Sequence, residues 1–261
     1  MAIFDEVSPA AVGAAEAAGV LSGAALAVCD ANLPGETLRS VRERCQAQGV
    51  PAWLEPVSVA KAPRGAAGAP WHLVSPNWDE LQAMLGSADP QPMPAMVASA
   101  LPEEVPRLLD RAISDGVAHN ILLTMGPHGA VLASAAGGPP PQLGSRVFEL
   151  DAEALLGGGR GLPPLTVSVE VLRSSGGARV WYRLLRPLDR LVDSTGAGDA
   201  LVAGAACAFA AGWPLERAVL AGLFCAHATL FTEGAVCPAL HGGLLVGLQA
   251  ALGGAVSASR L

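Results

Sequence analysis

The sequence predicts an α/β protein: three layers, α/β/α, around a mostly parallel central sheet. Three observations predict it. Short apolar runs rich in β-branched and aromatic residues alternate with longer stretches of helical period. Glycine or proline punctuates most junctions between them. A glycine-rich turn also joins a strand to a small-residue helix late in the chain. At 261 residues the chain can bury a large core, and a single domain over 1–261 is the expectation from length.

Ser8-Pro9 is an N-cap followed by proline at the first helical position, and the alanine-rich helix it opens stops near Gly19. Ala25 to Cys29 reads as a buried strand running into Asp30-Ala31-Asn32. Glu36 to Gln48 places Leu38, Val41 and Cys45 on one helical face with arginines opposite, and Gly49 closes it. Ala52 to Pro56 and His72 to Val74 are short strands. The second runs into Ser75-Pro76-Asn77, after which Trp78 to Leu85 is helical. Glu103 to Asp115 supplies a helix and Asn120 to Thr124 a buried strand. Gly126-Pro127-His128-Gly129 is a tight turn that lets Ala130 to Ser134 pair back as a hairpin.

From about Gly137 the texture becomes glycine, proline and short apolar pieces, so residues 137–179 are expected to form a loop or insertion. Val180 to Leu185 is the next strand. The helix beginning in the glycine turn runs through Ala211, Pro214 opens another to about Phe231, and a last helix covers Gly243 to Leu252.

Composition excludes several classes of function. The chain is 51% hydrophobic and 15% charged, with a mean hydropathy of +0.42. Its longest apolar run, Ala200 to Trp213, is too short to cross a bilayer, so no membrane association is expected. A net charge of −7, with 4% aromatics, offers no basic stripe for a nucleic acid polymer. The five cysteines form no C-x-x-C pair, arguing against a disulfide framework or a zinc site. Acidic residues follow Met1 where a leader would carry basic ones, which places the chain in the cytoplasm. The final Ser259-Arg260-Leu261 resembles a peroxisomal address, the alternative compartment.

The chemistry concentrates in Asp193-Ser194-Thr195-Gly196-Ala197-Gly198-Asp199-Ala200. A strand feeding a glycine turn at a helix start presents backbone N–H groups to a phosphate or a developing negative charge. Gly196 and Gly198 allow close backbone approach, and Asp199 stands where the helix dipole favours a carboxylate able to take a hydroxyl proton. Phosphoryl transfer needs alignment, charge neutralisation and a base, all of which this segment offers.

This stretch resembles the C-terminal signature of the PfkB/ribokinase family of carbohydrate kinases, and the resemblance implies a ribokinase-like fold. It implies Asp199 as the catalytic base and Gly196, Ala197 and Gly198 as an anion hole, with Thr195 beside the nucleotide. Asn77-Trp78-Asp79-Glu80 is similar to the family's N-x-x-E motif, which implies Asn77 near the nucleotide and Asn77 with Glu80 ordering Mg2+ through water. Taken by themselves, Asn77 and Glu80 are also spaced as an N-cap and its capping-box partner. Thr124, Gly126 and Gly129 match the family's strand-turn-strand beside the ATP phosphates, and Ala228 falls in the helix that flanks the adenine. The implied cofactors are ATP and Mg2+, with K+ left open.

Asp30-Ala31-Asn32, then Glu55-Pro56-Val57-Ser58 and Lys61, resemble the pseudouridine-kinase branch of that family, which implies Asp30, Asn32 and Lys61 on the substrate side and a nucleoside or sugar as acceptor. As bare residues, Asp30 and Asn32 are equally turn formers and Lys61 a solvated charge. The resemblance covers nearly the whole chain but begins late. The chain is therefore expected to hold the C-terminal two thirds of the family fold, without the lid, the early sugar-binding aspartate or the Gly-Gly-x-x-N turn. Two readings follow, a kinase for a small-molecule acceptor or a catalytically silent nucleotide-binding module. A sheet edge left open would favour a homodimer. A dinucleotide-binding domain is discounted, because the glycine loop lacks G-x-G-x-x-G spacing in a βαβ unit.

Overall fold

The computed structural model describes residues 4, 6–96, 100–138, 141–159, 161–174, 177–185 and 191–253. Ser259-Arg260-Leu261, the candidate peroxisomal address, lies outside them. The chain divides into two compact units. One comprises Met1–Gly126, Ala130–Pro139 and Leu172–Arg179; the other comprises Pro127–Gly129, Pro140–Val171 and Val180–Leu261.

The first unit alternates helices and strands as the sequence predicts. In order these are α1 (Pro9–Ala17), β1 (Ala27–Asp30), α2 (Gly35–Ala47), β2 (Ala52–Glu55), β3 (Trp71–Val74), α3 (Trp78–Met84), α4 (Glu104–Ser114), β4 (Ala118–Thr124) and β5 (Ala130–Ala135). Ser8 Oγ accepts from Ala11 N at 3.3 Å, the cap expected before Pro9. The strand order is β1-β2-β3-β4-β5. The ladders from β1 to β4 are parallel, with Ala27 opposite Ala52 and Trp71 opposite Ala118. β5 returns antiparallel, Leu122 opposite Leu132.

Parallel strands are covered on both faces and so carry continuous apolar runs. Trp53, Leu54, Trp71, Leu73, Ile121 and Leu122 are accordingly buried. Each such side chain contributes roughly 1.5–3 kcal/mol on leaving water. The two buried indoles keep their N–H groups satisfied: Trp53 Nε1 donates to Ser75 Oγ and Trp71 Nε1 to Gly65 O, each at 2.7 Å. β1 forms an open edge, with Val28 exposed on it.

Residues 137–179, expected as a loop or insertion, contain regular structure. The second unit holds β6 (Arg146–Leu150), a helical turn α5 (Ala152–Leu155), β7 (Leu165–Ser174) as far as Val171, and β8 (Gly177–Leu184) from Val180 onward. β6 and β7 pair antiparallel, Phe148 opposite Val167. Along β7, Leu165, Val167 and Val169 are buried, Thr166 and Ser168 are half-buried and Glu170 is exposed, the alternation of a strand with one face in the core.

Three helices follow: α6 (Ala197–Ala210), α7 (Leu215–Leu230) and α8 (Leu244–Ala251). The small buried residues of α6, Ala200, Gly204, Ala205 and Ala208, let α7 pack close against it. Glu216, at the start of α7, ties the unit together: its Oε1 accepts from Gln142 N at 2.6 Å and its carbonyl accepts from Tyr182 Oη at 2.7 Å. Among the described residues no helix is long and apolar enough to cross a membrane.

Candidate active site

In the second unit the glycine turn is held from both sides. Val192 N donates to Leu230 O at 2.9 Å, fixing the loop to the end of α7. Asp193 Oδ1 accepts from Thr195 N at 2.8 Å, a local turn that holds the Asp193 carboxyl below its usual range. Gly196 then takes φ 76, the left-handed region, as the N-cap of α6. With no side chain there to cap the helix, its first amides must find other partners.

Ala197 N reaches Ser194 O at 3.3 Å, and Ala200 N bonds Gly196 O at 2.8 Å. Between them, the N–H groups of Gly198 and Asp199 find no acceptor among the described residues. Gly198 is exposed, and no atom lies within 4 Å of where its Cβ would stand. The Asp199 side chain, on the same first turn, is also exposed. Two unused donors at the positive end of a helix, with open space before them and a carboxylate alongside, form an anion-accepting surface next to a proton acceptor. Thr195, Gly196, Ala197, Gly198 and Asp199, the residues singled out in the sequence, all lie on this turn and the first turn of α6.

In the first unit, Asn77 and Glu80 form the complete capping box of α3. Asn77 Oδ1 accepts from Glu80 N and Glu80 Oε2 accepts from Asn77 N, each at 2.9 Å. Burial outweighs the Asn77 amide bond and raises the Glu80 carboxyl above its ordinary range. Thr124 N donates to Pro76 O at 2.9 Å, so Thr124 stands beside Asn77 in a parallel bridge, and Gly126 opens the turn that follows.

Magnesium takes oxygen ligands and keeps several waters. No cluster of three or more His, Cys, Asp or Glu side chains among the described residues is arranged to hold a metal ion. Glu80, the carboxylate of the expected motif, is buried and bonded to the Asn77 amide.

Asp30, Asn32 and Lys61 also meet, at the C-terminal ends of β1 and β2. Asp30 Oδ1 accepts from Asn32 N at 2.9 Å and Lys61 Nζ donates to Asn32 Oδ1. Sequence reasoning missed Arg64, whose Nη1 donates to the carbonyls of Ala31 and Asn32 at 3.1 Å. It also missed the strain at Val57, where φ is 68; only the neighbouring Glu55-Pro56 hinted at a sharp change of direction. Ligands of open α/β sheets bind outside these strand ends.

Two residues expected beside the nucleotide are buried. Ala228 is fully covered, because α7 is enclosed nearly all round. Gly129 is buried too, at φ 90, and a Cβ there would stand 1.8 Å from Tyr182 O, so it serves close strand approach. His227 is a packed residue, with Nε2 2.8 Å from Pro163 O.

The fold defines the chain as a ribokinase-like α/β protein, with a glycine turn at the start of α6. Residues 180–240 match the model of the pfkB family carbohydrate kinases. A pseudouridine kinase of Arabidopsis thaliana is 30% identical over 228 residues, covering 84% of this chain and 60% of its own length. A carbohydrate kinase from Agrobacterium tumefaciens superimposes with a TM-score of 0.57 at 19% identity, covering 96% of this chain and 62% of that one. Arabidopsis thaliana ribokinase, solved with ribose and ATP, gives 0.53 at 17%, covering 88% and 57%. The chain is similar to pfkB family carbohydrate kinases, with the family model matched over residues 180–240. It spans about 60% of the length of the curated relative it matches.

Proposed function

We propose that the chain catalyses ATP-dependent transfer of a phosphoryl group to a hydroxyl of a nucleoside or sugar, with pseudouridine the first acceptor to test. The observation that carries this reading is the pair of unused N–H groups at Gly198 and Asp199 beside the exposed Asp199 carboxylate. Asp199 removes the acceptor proton, a role contributing about 10²–10⁴ in rate. The amides of residues 196–198 hold the transferring phosphoryl group, whose charge spreads over its equatorial oxygens.

Asn77, Thr124 and Gly126 serve the nucleotide, and Asn77 and Glu80 order the waters of a magnesium ion, which neutralises phosphate charge when bound. Asp30, Asn32 and Lys61 recognise acceptor hydroxyls. The Arabidopsis pseudouridine kinase likeness favours a nucleoside. All five cysteines are free thiols, which supports a reducing compartment such as the cytosol. The open β1 edge supports pairing of two copies, a point for sedimentation analysis.

The test is incubation of the full chain with magnesium and ATP plus pseudouridine, uridine, adenosine or ribose, with phosphorylated product measured by mass spectrometry. Wild type is expected to form product from at least one acceptor. Asp199→Asn is expected to bind ATP normally and form none. Turnover by Asp199→Asn at the wild-type rate refutes the base assignment. ATP affinity without product from any acceptor refutes the kinase reading in favour of a nucleotide-binding module.

A further inference from the structure

We propose that the first unit carries a second ligand site, for a small oxyanion bearing phosphate or carboxylate, at the N-terminal ends of its parallel strands. A cavity of about 230 Å³ opens there, lined by Arg42 and Gln46 of α2, the main chain from Gly49 to Ala52, and His72 and His119 at the starts of β3 and β4. It lies at the opposite end of the strands from Asn77 and Thr124. His119 and Thr124 are five residues apart on β4, roughly 17 Å at 3.3–3.4 Å per residue.

Arg42 contributes to the wall of this cavity. Arg42 is only 3% exposed, yet no carboxylate pairs with it among the described residues, and neither Asp nor Glu lines the cavity. Its Nη2 donates to Ala67 O at 2.7 Å and its guanidinium lies 5.2 Å from the centre of the Trp71 ring. Its Nε is buried and finds no partner among the described residues. Burying a guanidinium without a counter-charge is costly, so the site is incomplete as it stands.

The backbone is nevertheless shaped to hold the guanidinium. Gly68, at φ 104, passes so close that a Cβ would stand 2.1 Å from Arg42 Nη2. His72 and His119 add two imidazole rings to the lining. Burial, and next the neighbouring His119, hold His72 below its ordinary range, so its ring serves as a neutral N–H donor. One planar guanidinium, two imidazoles and a side-chain amide, with no acid among them, make a donor set for an oxyanion.

The test uses the histidine ring signals of the full chain in proton–carbon correlation spectra, assigned through His→Gln variants. Inorganic phosphate and succinate are titrated separately at fixed pH, with sodium chloride of matched ionic strength as control. One or both anions are expected to shift His72 and His119 saturably, leaving His128, His227 and His241 in place. Saturation by phosphate alone assigns a phosphate-bearing ligand, and by succinate alone a dicarboxylate. Shifts no larger than those from chloride overturn the proposal.

Arg42→Gln is expected to weaken binding at least tenfold, about the worth of one charged hydrogen bond. Unchanged affinity in a folded Arg42→Gln chain also overturns the proposal. Should circular dichroism show that variant unfolded, exposed His119→Gln decides instead, with a severalfold loss supporting the site and no loss refuting it. Gly198→Ala is expected to leave the response intact, which separates this site from the helix start of α6.

Discussion

Gly196 lies so close to the carbonyl of Ala235 that a Cβ built on the glycine would stand 1.9 Å from the Ala235 oxygen. Gly196 is also left-handed, so two independent constraints exclude a side chain at the residue that starts α6. Gly196→Ala should cost more than about 2 kcal/mol, combining the left-handed penalty with a backbone clash. In a chain this size that is roughly 4 °C or more in Tm. Thermal denaturation followed by circular dichroism checks it, and an unchanged Tm contradicts the close approach.

Two positions along, the expectation reverses. Gly198 has open space around its missing Cβ and no left-handed torsion, so Gly198→Ala should fold at least as stably as wild type, alanine being favoured over glycine in a helix by about 1 kcal/mol. The added methyl nonetheless projects into the space before the free amides. Phosphoryl transfer should fall by roughly 10²-fold, the typical cost of disturbing one oxyanion donor. A variant with wild-type Tm and wild-type kcat/KM contradicts the anion-hole reading.

Glu80→Gln removes the charge while keeping the capping geometry, since glutamine also serves a capping box. Burial raises the Glu80 carboxyl above its ordinary 4.5. The folded chain then binds the proton more tightly than the unfolded one, so Glu80's favourable contribution is complete below pH 4.5 and fades as pH rises through the folded value. Glu80→Gln should therefore match wild type in Tm near pH 4 and equal or exceed it at pH 7. The same variant should need more magnesium for half-maximal turnover. A Tm well below wild type at pH 7 would show that the ionised carboxylate stabilises α3 instead.

The strands β1 to β5 and the glycine turn were legible because their signals are local. Apolar runs such as Ile121-Leu122-Leu123 end at glycine turns, and the eight-residue motif around Gly196 is dense in meaning. β6 and β7 were hidden by the glycine and proline on either side of them, although Leu165, Val167 and Val169 carry a clean two-residue alternation. The burial of Ala228 was hidden for a different reason. A helix apolar on all sides does not announce which residues will be covered by tertiary packing. The buried Arg42 was equally invisible, since its periodicity placed it with the solvent-facing arginines of α2 while Trp71 and Ala67 took it inside.

Lys61 and Asn32 give a prediction that separates acceptor recognition from catalysis. Lys61 Nζ donates to Asn32 Oδ1, and Asn32 is itself positioned by Asp30. Lys61→Met keeps the length of the stem and removes the charged donor, leaving Asn32 free to turn. The acceptor KM should rise severalfold to tenfold, with the KM for ATP unchanged. Loss of kcat with an unaltered acceptor KM would instead place Lys61 with the transferring phosphate.

His227 makes the most direct pH test. Pro163 O can only accept, so Nε2 carries the proton and Nδ1 is the bare nitrogen, buried without a partner among the described residues. Burial, outweighing the bond to Pro163, holds the ring below its ordinary 6.5. On acidification the unfolded chain gains a proton that the folded chain resists, so stability is lost as pH falls below 6.5. His227→Gln keeps a donor for Pro163 O and cannot titrate. Its Tm should fall less than wild type between pH 7.5 and pH 5.5, and parallel Tm curves would mean that His227 is protonated in the folded chain.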